Sequence, residues 1–329
     1  MSFRRCPFPE SSDMAEGKKI AVVGATGLQG GGLVRAILAE KSSGFTVRAL
    51  TRDPESEKAR ELAELGAEVV KADLDIGPSL RMAFDGCYGA FCVTFFTEHF
   101  NPEKEMLHAV ALAQAAKQAG LKHAIWSTCE DTRKLVPLTD DHVPTLMGKF
   151  KVPQFDAKGE ANKAFTQFGV PTTFMLNSFY WDNLIYMGMG PKKGADGTLE
   201  FTLPMGESKL PGIAAEDIGK CAFGIFRKGF DLLGKTVGIS GEHLTGAQMA
   251  ILLGKELGQE VRHDAMAPEQ YRKLDFPGAE EFGNMFQVMQ EFDQEFCRAR
   301  SVEGTRELNP SLQSFGGWLA KNKDRIPLS

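Results

Sequence analysis

Three glycines in "AVVGATGLQGGG", residues 21–32, constrain this chain more than any other feature. Gly24, Gly27 and Gly30 follow a short β-branched apolar run at residues 19–23. After them Leu33, Val34, Ile37 and Leu38 recur at helical spacing. A glycine triplet between a strand and a helix permits a tight turn, close backbone approach to a pyrophosphate and close helix–strand packing. The helix that follows offers unpaired N–H groups and a positive dipole end to phosphates. The alternative is a structural turn without a ligand. Strand before, helix after and a second strand at residues 46–50 are the context that dinucleotide binding requires.

The rest of the first half keeps the same rhythm. The pattern predicts a helix at residues 55–65 closed by Gly66, a strand at 68–71, a short helix around 80–84 and a buried strand at 90–96. A strong amphipathic helix at 104–119 stops at Gly120, and strands at 123–127 and 171–176 flank a helix at 153–168. Alternation of this kind builds a parallel sheet covered on both faces. The expected fold class is α/β, a Rossmann-type doubly wound parallel sheet with a smaller α+β C-terminal domain. After about Phe179 the rhythm loosens: "MGMGPKKGADGT" reads as a loop, short strands ("LEFTLP", "TVGIS") alternate with helices at 216–226 and 245–257, and no second glycine loop occurs. The expected division is an extension at residues 1–17, a nucleotide-binding domain mainly over 18–178 and a smaller domain mainly over 179–329 that caps the cleft.

Composition excludes several classes. The 329 residues are 43% hydrophobic and 25% charged, with a formal net charge of −5. That balance fits a globular core and argues against direct nucleic-acid binding, which needs clustered Lys and Arg. No apolar run approaches the ~18 residues of a membrane span. The start, residues 1–19, has two arginines but no apolar core of signal-peptide length, and Met14 is an alternative start. The six cysteines form no C-x-x-C pair and no zinc spacing with histidine. Reduced thiols in an intracellular setting, cytoplasmic and also nuclear, are the expectation.

The second strand ends in "LTRDP", residues 50–54. A carboxylate at this place bonds the ribose 2′-OH of NAD; an arginine nearby suits the 2′-phosphate of NADP. Asp53 before Pro54 reads as a helix cap with proline in the first turn, which occupies its oxygens with backbone N–H groups. Arg52 is then free for a bidentate phosphate contact; a solvated surface arginine is the competing reading. The balance favours NADP(H).

Together "VVGATGLQGGG", "LTRDP", "GAEVVKADLD", "FDAKGE", "GVPTTFMLNSFYWDN" and "YRKLDFPGAEEFGNMF" resemble the NmrA-like branch of the atypical short-chain dehydrogenase/reductase superfamily. The similarity runs from about Lys19 to near the C-terminus and is nearest to dinucleotide-sensing members of that family. The resemblance implies NADP(H) in the cleft and a dinucleotide state that tunes association with protein partners or with a second copy. Carried to matching positions, it implies cofactor contacts from Gly24, Thr26, Gly27, Leu28, Gln29, Gly30 and Arg52, then Asp73, Thr94 and Lys158, then Asn177, Ser178 and Phe179. One departure is Ser56, which stands where sensing members carry a second basic residue; Lys58 lies nearby.

Carbonyl-reducing members of the wider superfamily use Tyr-x-x-x-Lys on one helix. The four tyrosines here are Tyr88, Tyr180, Tyr186 and Tyr271, and none has lysine four positions on. Gln154 and Lys158 stand in that arrangement instead. An amide does not titrate and is no general acid. Lys158 borders the apolar stripe of its helix, either aimed into the cleft or snorkelling at its edge; the family resemblance favours ligand contact. Related reductases of isoflavone and lignan precursors resemble this arrangement. Cys129 reads as a small hydrophobe before it reads as a redox thiol. The six histidines form no nucleophile spacing. Phe95 and Phe96 are core or pocket lining, and "YWDN", residues 180–183, borders a cleft or packs a hinge. Residues 97–101 and 132–149 are weakly patterned enough to move with a ligand. The expectation is a regulatory NADP(H)-binding protein with little or no turnover; the alternatives are an NADPH-dependent reductase relying on Lys158 and, against the acidic balance, a DNA-binding module.

Overall fold

The short apolar runs of the first half form the strands of a parallel sheet, whose central strands are covered on both faces by the helices between them. These strands are β1 (Lys18–Val22), β2 (Phe45–Thr51), β3 (Glu68–Lys71), β4 (Gly89–Cys92), β5 (His123–Thr128) and β6 (Thr172–Leu176). Every residue of β4, β5 and β6 is buried. In this computed structural model, which describes residues 17–194 and 196–328, they join a strand at Thr236–Gly238 in a seven-stranded sheet. The order is Thr236–Gly238, β6, β5, β4, β1, β2, β3, with every pairing parallel. The order reverses between β1 and β4, which opens a crevice at the carboxyl ends of those two strands, where ligands bind in open α/β sheets. The glycine loop leaves β1 at that point.

Helices α1 (Leu28–Ala39), α2 (Glu57–Glu64), α3 (Gly77–Phe84), α4 (Pro102–Gln118) and α5 (Pro153–Gln167) connect the strands. Beyond residue 179, Phe179–Tyr180, Leu210–Ile213 and Glu242–Leu244 form one three-stranded sheet, and Lys192–Lys193, Leu199–Thr202 and Val261–Asp264 form another. These pack with later helices around a second apolar cluster that includes Trp181, Phe201, Phe286 and Trp318. The Rossmann-type architecture with an α+β portion is therefore present.

Two local expectations are corrected. The strand expected at 90–96 ends at Cys92: its neighbour β1 turns into the glycine loop after Val22, so residues beyond Cys92 lose their partner on that side and fold into a 3₁₀ turn at Phe96–Glu98. Asp53 does not cap a helix beginning at residue 55. The helix starts at Glu57 with Ser56 at its N-cap, and the Asp53 Oδ1 accepts from the Glu55 N–H at 3.0 Å in a local turn. Around residue 178 the two portions also exchange elements. The strand Thr236–Gly238 and the helix Ala215–Lys228 serve the large sheet's layer, the helix burying Ile218, Ala222 and Ile225 in the same apolar cluster as Leu33 and Val34 of α1. Val136, Val143 and Val152 instead join the second cluster. The extension expected at the start falls almost wholly in residues 1–16, outside the described residues. Among the described residues, no helix is long and apolar enough to cross a membrane.

Candidate functional site

The glycine loop shapes a cleft with two chambers. Gly24 adopts φ +64°, and a Cβ there would stand 2.4 Å from the Phe95 ring. A Cβ on Gly30 would stand 2.4 Å from the Gly24 carbonyl oxygen. Both positions therefore demand glycine: one for backbone conformation and contact, the other for the tight seat of α1 on the loop. Gly27 is the N-cap of α1; it contributes no side-chain cap, and no acidic residue occupies the first turn. The amide groups at this helix start are left for an anion.

The larger chamber, about 800 Å³, lies over the carboxyl ends of β1, β2 and β3 and is lined by Thr26, Arg52, Asp73 and the side chains of Glu98 and Lys104. The smaller, about 360 Å³, lies toward β5, β6 and α5 and is lined by Leu28, Gln29, Gly30, Thr94, Lys158, Asn177, Ser178 and Phe179. Gly24, Gly27 and Phe95 border both. The fold thus brings every sequence-derived candidate to one of two joined chambers, with the Phe95 ring as the partition. A dinucleotide fits this layout: a glycine cradle at the join, a basic residue in one chamber and an apolar room with polar groups in the other. Asn177 is another residue of the smaller chamber's lining, and its Oδ1 is buried without a hydrogen-bond partner. An orphaned buried acceptor of this sort costs free energy.

Not every candidate side chain is free for a ligand. Arg52 is held by Glu98 through two bonds of 2.9 Å, a partner 46 positions away that spacing along the chain did not reveal. The Ser178 hydroxyl donates to the Ile239 carbonyl at 2.5 Å, so Ser178 fixes the turn after β6. Phe179 is buried and pairs in a small sheet with Gly212. Asp73 organises its own turn, its Oδ1 accepting from the Asp75 N–H at 3.0 Å.

Lys158 is inside the protein. It is only 5% exposed, and its Nζ lies 2.7 Å from Glu105 Oε1 and donates to the Thr94 Oγ1 at 2.6 Å. Glu105 is fully buried and also accepts from the Thr94 hydroxyl. The ammonium further sits 5.3 Å from the centre of the Trp126 ring. Glu105 escaped sequence reading because a carboxylate in the first turn of α4 looks like an ordinary dipole-complementing acid. Its second oxygen faces the His99 Nε2 at 3.4 Å, and burial holds the His99 imidazole below its usual basicity.

A hydrogen-bonded row forms the opposite wall. The Asn177 Nδ2 donates to Ser127 Oγ (2.7 Å), Ser127 donates to Gln29 Oε1 (2.9 Å), and Gln29 Nε2 donates to the Tyr180 hydroxyl (2.5 Å). Tyr180 accepts in this row, so its own proton is left to point elsewhere. Burial pushes its pKa upward, which keeps the phenol protonated at neutral pH. The "YWDN" stretch thus borders the cleft through Tyr180, while Trp181 packs in the second core. Gln154 also lines the smaller chamber, and its backbone N–H donates to Glu281 at 2.8 Å. Cys129 lines it too, but burial pushes its thiol up to about 12, so it is no thiolate nucleophile at neutral pH. Phe155, Tyr186, Met187, Phe282 and Met289 roof this chamber with apolar surface. Among the described residues, no group of three His, Cys, Asp or Glu side chains is placed to hold a metal ion.

Fold and cleft define a Rossmann-type α/β protein built around a glycine-loop nucleotide cradle. The NmrA-like family profile matches residues 16–319, and the chain belongs to that family. An NmrA-like family domain-containing protein of Dictyostelium discoideum is 31% identical over 266 residues, spanning 78% of this chain and 83% of that protein. The NmrA-like family domain-containing oxidoreductase malD of Malbranchea aurantiaca is 32% identical over 264 residues, 76% of each chain. The crystal structure of NmrA, a negative transcriptional regulator, in complex with NADP superimposes with a TM-score of 0.75 over 93% of this chain and 95% of that one, at 24% identity.

Proposed function

We propose that this protein binds NADP(H) and acts as a regulatory member of the NmrA-like family, its conformation or association responding to the dinucleotide with little turnover. The observation that carries this reading is a complete nucleotide cradle whose usual tyrosine position holds Gln154, next to a lysine already bound to a buried carboxylate. A family member solved with NADP and the arginine after β2 support the phosphorylated dinucleotide. The chain's residues then divide the work. The glycine loop and start of α1 hold the pyrophosphate, Arg52 meets the 2′-phosphate, and Lys158, Thr94 and Asn177 offer polar contacts in the smaller chamber. When bound, the nicotinamide supplies hydride-transfer capacity. A ligand shifts a protein between two states only by binding one of them better, and the ligand-facing segments Phe96–Glu98 and the roof of the smaller chamber are where such a difference would arise. Protein partners, or a second copy of the chain, would read it.

The test is titration of purified protein with NADPH, NADP⁺, NADH and NAD⁺, following affinity by calorimetry and mass by light scattering. Tighter binding of the phosphorylated pair with a ligand-dependent change in mass or shape is expected. Absence of dinucleotide binding refutes the reading.

A second reading has its own observation. The apolar roof of the smaller chamber and the free proton of Tyr180 suit an NADPH-dependent reductase of a small carbonyl or enone, with Lys158 or Tyr180 delivering the proton; the relative from Malbranchea aurantiaca is named an oxidoreductase. Rapid oxidation of NADPH at 340 nm by such substrates, abolished in Lys158→Ala, would replace the first reading with this one.

A further inference from the structure

The pairing of Arg52 with Glu98 has a consequence for which dinucleotide the cleft accepts. Arg52 leaves the end of β2, and Glu98 closes the 3₁₀ turn after β4; both line the larger chamber. The guanidinium engages both carboxylate oxygens, Nη1 to Oε2 and Nη2 to Oε1, each at 2.9 Å. That fork uses the same donors a bidentate phosphate contact needs. The two side chains are 66% and 46% exposed, so the pair is screened by water and exchanges readily.

We propose that Glu98 is a specificity-determining residue of the cleft: its carboxylate stands in for the 2′-phosphate on Arg52, so that a phosphorylated ribose must displace it while a plain ribose need not. The proposal rests on the NADP(H) reading of the cleft. Two anions cannot share one guanidinium face without repulsion, so phosphate binding drives Glu98 away from Arg52. Glu98 is not isolated. Its N–H donates to the Phe95 carbonyl at 3.0 Å, and the N–H groups of His99 and Phe100 both donate to Phe96, at 3.0 and 2.8 Å. Phe95 abuts Gly24, Thr94 holds Lys158, and His99 faces Glu105. Moving one end of this segment therefore bears on the groups that line the smaller chamber. The 2′-phosphate, absent from NAD(H), thus becomes a signal carried toward the smaller chamber, away from the phosphate itself.

The test measures NADP⁺ and NAD⁺ affinities by calorimetry for wild type, Glu98→Gln and Glu57→Gln. Glu57 lines the same chamber and controls for loss of a negative charge that does not pair with Arg52. Glu98→Gln is expected to tighten NADP⁺ about fivefold and to leave NAD⁺ within about twofold, with a smaller NADP⁺ gain in Glu57→Gln. Hydrogen exchange at the amides of residues 98–100 supplies a second readout. The wild-type complexes with NADP⁺ and NAD⁺ should differ there, and that difference should collapse in Glu98→Gln. Unchanged or weaker NADP⁺ binding in Glu98→Gln, an equal gain for NAD⁺, or an equal gain in Glu57→Gln overturns the proposal while leaving NADP(H) binding intact. Wild-type protein that binds neither dinucleotide removes the reading of the cleft itself and this inference with it.

Discussion

The ion pair between Lys158 and Glu105 offers the sharpest test of how the cleft floor is built. Its atoms approach to 2.7 Å, and the two side chains are 7% and 0% exposed. Replacing Lys158 with Met keeps most of the stem's packing and removes the charge, leaving Glu105 with the Thr94 hydroxyl and the His99 imidazole at 3.4 Å. Breaking a buried pair from one side costs about 3–5 kcal/mol, because a buried charge is left uncompensated. At roughly 2 °C per kcal/mol for a chain of this size, the unfolding midpoint should fall by about 6–10 °C at pH 8. Glu105→Leu should fall by a comparable amount, stranding the ammonium in place of the carboxylate. The double variant removes both charges and should recover to within about 1 kcal/mol of wild type, since exchanging a buried pair for apolar side chains is often neutral. The double-mutant cycle, read by thermal and urea unfolding, should thus give a coupling of at least about 5 kcal/mol. Additive losses, or a Lys158→Met protein as stable as wild type, would show that the two groups are solvated separately and that Lys158 is not locked at the cleft floor.

Other consequences are simpler to state. Gly30→Ala places a methyl 2.4 Å from the Gly24 carbonyl oxygen, so the loop must shift; circular dichroism should stay near wild type while NADP⁺ affinity falls at least about tenfold by calorimetry. Burial pushes Glu281 up to about 7 from its ordinary 4.5. The folded state then holds a proton that the unfolded chain has lost, so stability falls as pH rises from 4.5 toward 7, by about 3 kcal/mol from this group. Glu281→Gln keeps an oxygen for the Gln154 N–H and should flatten that slope, with the largest gain over wild type above pH 7, measured by urea unfolding across the range. Tyr180→Phe should bind NADP⁺ within about twofold of wild type; any NADPH-dependent reduction should drop sharply, and unchanged turnover would exclude the phenol as proton source.

What the sequence disclosed and what it withheld differ in their physical origin. The glycine loop, β1 to β6 and α1 to α5 were legible because each is written in local periodicity and turn residues. The placement of Arg52 was legible for the same reason, as it directly follows a strand. Its partner was not, since Glu98 arrives through the order of the sheet and the early end of β4. Glu105 carried no signal of its own: the burial that makes it matter comes from α4 packing on the large sheet while α5 presents Lys158 to it. The strand Thr236–Gly238 looked like its neighbours in composition. Only its parallel register with β6, Thr236 beside Phe174, assigns it to the large sheet.

The same distinction bears on function. The pyrophosphate cradle is made of backbone at Gly24, Gly27 and Gly30, so substitutions among the side chains around the nicotinamide end leave it standing. The tyrosine that donates a proton in carbonyl-reducing members of the wider superfamily is a single side chain, and Gln154 stands in its place here. On the reading proposed above, a chain of this build would keep nucleotide recognition whether the chemistry has lapsed or passed to a neighbour such as Tyr180. What decides between those outcomes is whether the smaller chamber admits a substrate against the dinucleotide. Phe155, Phe282 and Met289, drawn from α5 and from the helix Ala279–Glu291, close that chamber. Its roof is thus carried by the same helix that bears Glu281 and contacts the start of α5. The Gln154–Glu281 bond therefore ties the seat of Gln154 to the helix that carries part of the roof, and if the proposed reading holds, Glu281→Gln would bear on dinucleotide response and any turnover together.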